Sequence, residues 1–315
     1  MHFADRLVAR ARSAGSAVCV GIDPRWAMLP EELRSRARET ERDPARAVAW
    51  AYAELAEAVV EAVAPYAAEV KPQSAFFEAA GPAGFDALAR TLEIASDAGL
   101  VTIADAKRGD IGSTSEAYAQ GFFGGLQVEG ETLEGLDADS LTINPYLGTD
   151  GVAPFLDACN ARGRGVFVLV RTSNPSAAEI QDLVVRGRDD KPDARVFERV
   201  AALVRKWGEG RVGEEGWSSV GAVAGATTPE ALAEVRALLP RSILLVPGYG
   251  AQGGGAEDVV GAFDTKGEGA VVNASRSIVF AKRDAATLAE LASAAGEAAK
   301  RMRDAIGEAL AKRKG

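Results

Sequence analysis

Short apolar runs alternate with longer segments of helical character along the whole chain. Eight runs have the length and composition of strands, at residues 17–22, 67–70, 100–104, 140–143, 165–170, 220–224, 243–246 and 270–272. Helix signals lie between them, such as Asp43-Pro44 before an alanine-rich stretch and Gly99 after residues 83–98. Because eight parallel strands close a barrel, we predict an α/β fold, a single (β/α)8 TIM barrel, with a doubly wound open sheet as the alternative.

Two polar, glycine-containing stretches, residues 181–193 and 208–216, interrupt the even spacing. They flank a predicted helix over about 194–207, between the fifth and sixth strands. We predict a solvent-exposed surface insertion over about 181–216, not a second domain. A segment rich in Ala, Glu, Lys and Arg predicts a long C-terminal helix over about 284–313. Residues 1–315 are therefore expected to form one barrel domain.

The bulk composition excludes several classes of function. The chain has 315 residues and a formal net charge of −9, which opposes general binding to nucleic acid or to an anionic membrane. No apolar run approaches the roughly 18–20 residues of a membrane span. The charged N-terminus lacks the apolar core of a signal peptide. We therefore expect a cytoplasmic protein. Its negative net charge is still compatible with a local basic site that binds one small anion.

The scarcity of histidine and cysteine narrows the chemistry further. His2 is the only histidine, which removes Ser-His-Asp catalysis, Cys-His catalysis and His-ligated zinc. Cys19 and Cys159 have no metal-like spacing and are expected to be reduced packing residues. Any chemistry must therefore come from lysines, carboxylates, arginines, hydroxyls and the backbone.

Charge concentrates at the end of the third predicted strand. The sequence VTIADAKRGDIGST, residues 101–114, begins as an apolar strand and ends in Asp105, Lys107 and Asp110. A surface loop can carry the same letters, but polar residues also follow the other strands, where barrels place their active sites. Lys71, at the end of the second strand, either extends to solvent or joins this group. If it joins, alternating acids hold both lysines charged, and a charged ammonium donates a proton.

A second polar group follows the seventh and eighth strands. Residues 247–255 are rich in glycine and contain Pro247 and Gln252, and Arg276 comes shortly after the eighth strand. Glycines let backbone N–H groups turn towards an anion, and a guanidinium pairs well with a phosphate monoester. This pattern predicts a phosphate site; a flexible turn is the alternative. The spacing Gly248-x-Gly250-x-x-Gly253 also matches a dinucleotide fingerprint, but it lies after the seventh strand instead of opening the sheet.

Further polar residues follow the first, fourth and fifth strands. Asp23 can accept hydrogen bonds from sugar hydroxyls or cap a turn. Thr172 and Ser173 can bind a polar ring edge or simply form a turn before Asn174. Asn144 is interpreted as part of the rim structure.

Taken together, these residues resemble the orotidine 5′-phosphate decarboxylase family over nearly the whole chain. The resemblance rests on Lys71, Asp105-Ala-Lys107-Arg-Gly-Asp110-Ile111 with Thr114, PGYGAQGG at residues 247–254, and NASR at residues 273–276. The length and the NPYLG sequence at residues 144–148 are similar to the longer-chain, type 2 branch.

The resemblance implies a homodimer of barrels that converts orotidine 5′-monophosphate to UMP and CO₂ without a metal or cofactor. It implies that Lys107 protonates C6 of the pyrimidine, with Asp105 beside the leaving carboxylate and Lys71 near the ribose. Asp110 and Thr114 would reach into the partner's site. The substrate contacts implied are Asp23 to the ribose, Ser173 to the pyrimidine, and Pro247, Gln252 and Arg276 around the phosphate.

Three alternatives stay open. A sugar-phosphate decarboxylase or aldolase of the same superfamily shares the D-x-K-x-x-D pattern but uses Mg²⁺ and an acidic ligand after the second strand, where this chain has Lys71. A nicotinamide-dependent enzyme would use the glycine-rich loop. A catalytically silent phosphate-binding barrel is the non-enzyme alternative.

Overall fold

Eight parallel strands close into a barrel in the computed structural model, which describes residues 1–187, 192–225, 229–250 and 254–314. Each strand pairs with its neighbours in chain order, and β1 pairs with β8. The strands are β1 (Val18–Ile22), β2 (Glu69–Pro72), β3 (Val101–Arg108), β4 (Ser140–Ile143), β5 (Gly165–Arg171), β6 (Ser218–Ala224), β7 (Ser242–Pro247) and β8 (Ala270–Ala274). The predicted barrel is confirmed, and the open sheet is excluded because no edge remains between β1 and β8.

Helices surround the barrel and follow its strands. They are α1 (Phe3–Ala14), α2 (Glu31–Thr40), α3 (Pro44–Val63), α4 (Ser74–Glu78), α5 (Pro82–Asp97), α6 (Gly112–Phe123), α7 (Thr149–Arg162), α8 (Ala178–Gln181), α9 (Val196–Gly208), α10 (Pro229–Leu238), α11 (Ala256–Val259), α12 (Arg276–Val279) and α13 (Leu288–Lys314). Asp43 caps α3 by accepting the Arg46 N–H at 3.0 Å. Within the described residues, the length and apolarity that a membrane crossing requires do not occur together in any helix.

The barrel has two hydrophobic cores because its strands are apolar on both faces. The larger core lies between the strands and the outer helices. The smaller core fills the barrel interior and is closed at the N-terminal end by α1, whose Phe3 ring meets the Phe167 ring edge to face at 6.0 Å. Asp5 also fixes α1, since its carboxylate accepts the Glu214 and Glu215 N–H groups at 3.1 and 3.0 Å.

The region predicted as a surface insertion, residues 181–216, contains an outer-ring helix. The α9 helix packs on β5 and β6 and buries Phe197, Ala201, Val204 and Trp207. The prediction of an exposed insertion is therefore wrong for α9, because its apolar positions recur at helical spacing and cover the barrel. Before α9, Val184–Val185 and Ala194–Arg195 form a short antiparallel pair, and residues 188–191 lie outside the described residues.

The C-terminal helix begins slightly later than predicted. The structure places α13 at Leu288–Lys314, against the predicted 284–313, and packs it on α3. A hairpin of Leu126–Val128 and Glu131–Leu133 follows α6 and was not predicted. Cys19 and Cys159 are buried free thiols, as expected.

Candidate active site

The charged residues at the ends of β2 and β3 meet at the C-terminal rim of the barrel. Lys71 Nζ lies 2.6 Å from Asp105 Oδ2, and Lys107 Nζ lies 2.5 Å from Asp105 Oδ1. Lys71 is 4% exposed, so it packs against the acid and does not extend to solvent. One carboxylate thus lies between two ammonium groups, and we call Lys71, Asp105 and Lys107 the Lys–Asp–Lys cluster.

The β3 strand bulges where it carries this cluster. Ala104 pairs with Leu141 and Arg108 with Ile143, so four steps along β3 oppose only two along β4. Within the bulge, Lys107 has a φ of 49°, in the left-handed region that disfavours a side chain by about 1–2 kcal/mol. The strand therefore accepts local strain at one of the two lysines of the cluster.

Two neutral side chains complete the set of donors around Asp105. Gln73 Nε2 donates to Asp105 Oδ2 at 3.1 Å, and Thr142 Oγ1 donates to Asp105 Oδ1 at 2.9 Å. Sequence reasoning missed both residues. Gln73 carried a usable signal, since it lies two residues after Lys71 and so emerges on the same side of the sheet. Thr142 carried none, because threonine is an ordinary strand residue.

The cluster fixes the charge of its buried members. Burial opposes the ionisation of Asp105, but the positive charges of Lys71 and Lys107 outweigh burial and hold the pKa of Asp105 well below its usual range. Burial likewise opposes charge on Lys71, and the negative charges of Asp105 and Asp23 outweigh it, so the pKa of Lys71 is raised. At neutral pH, Asp105 is a carboxylate and Lys71 an ammonium.

The two lysines differ in access. The Lys107 side chain is 44% exposed, whereas that of Lys71 is 5% exposed. Lys107 is therefore the cation of the cluster that a molecule bound at the rim can reach. A positioned ammonium can stabilise developing negative charge and donate a proton to it.

Asp110 and Thr114 lie outside the cluster. Asp110 Oδ1 accepts the Ile111 N–H at 2.8 Å within its own loop, and Thr114 is exposed on the first turn of α6. Within the described chain, Asp110 therefore forms no ion pair with Lys107, and the predicted alternating array lacks its fourth member there. The reason is local: β3 ends at Arg108, and Gly109 packs against Asn144 and carries the loop away from Asp105.

Asp23 and Ser173 emerge at the same rim from β1 and β5. Asp23 directly follows β1, is half-buried, and acts electrostatically on Lys71. Ser173 is half-buried beside Gly225, where an added Cβ would lie 2.6 Å from the Ser173 nitrogen. Both residues remain candidates for contacts with a bound molecule.

Thr172 is engaged in a hydrogen-bonded turn. Its N–H donates to Gln181 Oε1 at 2.9 Å, and Gln181 Nε2 donates to Thr172 Oγ1 at 2.7 Å. The Thr172 hydroxyl in turn donates to Asn174 Oδ1 at 2.6 Å. Of the two interpretations of this residue, the turn is the one observed.

The candidate phosphate residues follow two neighbouring strands. Pro247 ends β7 and pairs with Asn273 of β8, and Arg276 is exposed on the first turn of α12. Gly248 and Gly250 have φ values of 105° and 75°, so the loop uses the conformational freedom that predicted an anion site. The prediction for Gln252 falls outside the described residues.

Glu69 is a buried acid that sequence reasoning missed. It is 0% exposed and pairs in register with Cys19 and Val101 of the interior core. Neither carboxyl oxygen has an N–H or O–H donor within the described part of the chain. Burial, together with the negative charge of Asp139, raises the pKa of Glu69 well above its ordinary value. Burial thus favours the protonated form of Glu69. The available sequence signal was an acidic residue inside the apolar run 67–70.

The rim also bears on the metal and nicotinamide alternatives. Among the residues that the structure describes, no three His, Cys, Asp or Glu side chains are grouped to hold a metal ion. The glycine-rich fingerprint follows β7 and not the opening strand, and its last glycine, Gly253, lies outside the described residues.

This chain is a closed (β/α)8 barrel with a charged cluster at its C-terminal rim. Because enzymes of this fold have their active sites at that rim, the fold and the cluster together define the chain as a (β/α)8-barrel enzyme. Residues 16–291 match the model of the Orotidine 5′-phosphate decarboxylase / HUMPS family. The chain belongs to this family.

Individual relatives match over almost the full chain. It is 46% identical to orotidine 5′-phosphate decarboxylase of Rhodopirellula baltica over 283 residues, 90% of each chain. It is 40% identical to the protein of that name from Deinococcus radiodurans over 309 residues, 98% of each chain. Among solved structures, OMP decarboxylase of Leishmania donovani superposes with a TM-score of 0.72 at 32% identity, covering 98% of this chain and 99% of the other.

Proposed function

We propose that this protein is an orotidine 5′-phosphate decarboxylase, a carboxy-lyase that converts orotidine 5′-monophosphate to UMP and CO₂ in pyrimidine biosynthesis. The observation that carries the proposal is the Lys–Asp–Lys cluster at the rim, with Lys107 as its accessible cation. Two relatives named orotidine 5′-phosphate decarboxylase, which match over 90% and 98% of each chain, support orotidine 5′-monophosphate as the substrate.

The proposed chemistry uses the charge of the cluster. As the bond between C6 and the carboxylate breaks, the electron pair stays on C6 and CO₂ leaves. The ring offers this pair little delocalisation, so a fixed cation must stabilise it as it develops. Lys107 provides that cation and transfers a proton to C6, and solvent then restores the proton to Lys107. Asp105 holds Lys107 in place and lies beside the departing carboxylate, where like charge disfavours the substrate's ground state.

The other rim residues bind the nucleotide. Asp23 holds the ribose, with Lys71 in the charge network near it, and Ser173 contacts the pyrimidine edge. Pro247, Gln252 and Arg276 surround the phosphate, which lies far from C6. Binding energy from the phosphate serves to orient the ring over Lys107.

The proposed enzyme is a homodimer. Asp110 and Thr114 are displaced from their own cluster, and Thr114 is exposed, which suits residues that complete the site of a partner subunit. The proposed location is the cytoplasm, and the proposed partners include neither nucleic acid nor membrane. The proposed reaction needs no metal or cofactor, since Lys107 provides both the positive charge and the proton.

The test is incubation of the purified chain with orotidine 5′-monophosphate, followed by ultraviolet absorbance, with and without EDTA. We expect conversion to UMP that EDTA does not reduce. Lys107→Ala should lower kcat at least about 100-fold, because it removes both the cation and the proton donor. Lys300→Ala, at an exposed position of the outer helix α13, is the matched control and should retain activity.

Absence of turnover in the wild-type chain would reject the proposed activity, and two further results would reject the proposed mechanism. Unchanged turnover in Lys107→Ala would show that another group protonates the product. Loss of turnover in EDTA, restored by Mg²⁺, would show that the reaction depends on a metal ion, as in the sugar-phosphate enzymes of the superfamily.

A further inference from the structure

The backbone N–H of Lys107 needs a partner that the barrel ladder does not provide. Across the bulge, β3 pairs with β4 at Ala104 and next at Arg108, so the residues between them leave the regular pattern. Lys107 also lies in the left-handed region, with φ of 49°. A buried or half-buried amide left without an acceptor at this point would destabilise the bulge.

Thr142 supplies the acceptor and acts on Asp105 with the same hydroxyl. Lys107 N donates to Thr142 Oγ1 at 2.9 Å, and Thr142 Oγ1 donates to Asp105 Oδ1 at 2.9 Å. The directions of both hydrogen bonds are unambiguous, because a backbone N–H can only donate and an ionised carboxylate can only accept. Thr142 is 1% exposed, so no solvent competes for its hydroxyl.

These bonds close a loop around the acid. Asp105 Oδ1 accepts from both the Thr142 hydroxyl and Lys107 Nζ, while the backbone of Lys107 is held by the same hydroxyl. One hydroxyl thus links the direction of the carboxylate to the backbone conformation of the lysine. Displacement of either group moves the ammonium away from the reacting carbon.

We infer that Thr142 is a positioning residue for the proton-donating lysine, an inference that rests on the proposed function. It contacts Lys107 and Asp105 and lies on β4, whereas the proposed phosphate residues follow β7 and β8. Its loss should therefore lower the rate of the chemical step and leave nucleotide binding intact. Because a displacement of about 1 Å at a reacting group can reduce the rate 100-fold, we expect Thr142→Val to lower kcat by about 10- to 100-fold.

The chain offers a matched control in Thr102, near the N-terminal end of β3. Its hydroxyl links β3 to Asp139, the residue immediately before β4, donating to Asp139 Oδ2 at 3.2 Å and accepting the Asp139 N–H at 2.9 Å. Thr102 is also 1% exposed. Thr102→Val therefore removes the same kind of buried hydroxyl from the same strand pair, away from the rim.

The experiment compares wild type, Thr142→Val, Thr142→Ser and Thr102→Val. The measurements are kcat and KM for orotidine 5′-monophosphate, UMP affinity by calorimetry, and thermal unfolding. We expect a low kcat with unchanged UMP affinity in Thr142→Val, recovery of most activity in Thr142→Ser, and wild-type kcat in Thr102→Val. If Thr142→Val turns over like wild type, or both valine variants lose kcat equally, the inference is overturned. A wild-type chain that leaves the substrate unchanged overturns the proposed function itself, and the inference with it.

Discussion

Replacing Glu69 with glutamine should stabilise the barrel, and the gain should grow with pH. The carboxyl group is fully buried without an N–H or O–H donor in the described part of the chain, and its pKa is raised by burial and by Asp139. The folded chain therefore retains a proton that the unfolded chain releases above its ordinary pKa of 4.5. Glutamine keeps the shape and is neutral in both states, so it removes this difference.

The magnitude follows from proton linkage. The unfolded state binds fewer protons than the folded state above pH 4.5, so the free energy of unfolding falls by about 1.4 kcal/mol per pH unit until the folded pKa is reached. The advantage of Glu69→Gln over wild type should therefore grow by up to about 1.4 kcal/mol for each pH unit between the ordinary pKa and the raised pKa of Glu69. The free energy of unfolding of the wild type continues to fall until the pH reaches the pKa of Glu69 in the folded chain.

Guanidinium unfolding at several pH values, followed by circular dichroism, measures this difference. Other titrating groups are common to both proteins and cancel in the comparison. Glu61→Gln, at an exposed position of α3, is the matched control and should show no such trend. A difference between Glu69→Gln and wild type that stays constant from pH 5 to pH 7 would contradict a raised pKa of Glu69 in the folded chain.

Three further predictions concern the rim. Lys107→Ala and Asp110→Ala homodimers should each be nearly inactive, and mixing them should restore activity, because a mixed dimer has one site with both substitutions and one site with neither. No recovery on mixing would mean that Asp110 serves its own subunit. Lys71→Ala should lower the free energy of unfolding by about 3 kcal/mol in denaturant titrations, because it leaves the buried Asp105 with fewer partners; a loss under 1 kcal/mol would contradict the buried ion pair. Arg276→Ala should lower kcat/KM about 10- to 100-fold, because a charge-assisted phosphate contact provides binding energy that also orients the ring. An unchanged kcat/KM would remove Arg276 from the phosphate site.

The barrel could be predicted because its strands differ sharply from their surroundings. Each is a short apolar run that ends in polar residues, and this pattern located all eight. Their ends were less clear. The β3 strand continues through Lys107 and Arg108, because β4 supplies pairing partners that no local pattern reveals. The α9 helix was predicted at nearly its observed bounds, but it was wrongly placed in an exposed insertion because glycines and charges flank it, although Phe197 and Val204 are buried on one helical face.

The site could be predicted as far as its charges. Lys71, Asp105 and Lys107 stand out because charge at the end of an apolar strand is unusual, and the structure brings them together. Thr142 could not be predicted, since its role depends on a bulge in the neighbouring strand. Glu69 was overlooked because the apolar residues around it dominated the interpretation of the second strand.

The closure of the barrel by α1 has a consequence for biosynthesis. The carboxylate of Asp5 is held by an amide 210 positions further along the chain, at Glu215. At roughly 5–20 residues per second, a ribosome needs about 10–40 s to supply those positions. During that interval the nascent α1 exposes Phe3 and Leu7 without the surface that later buries them. The α1 helix is thus synthesised well before the surface on which it docks, and chaperones that bind emerging apolar segments can act on it during that interval.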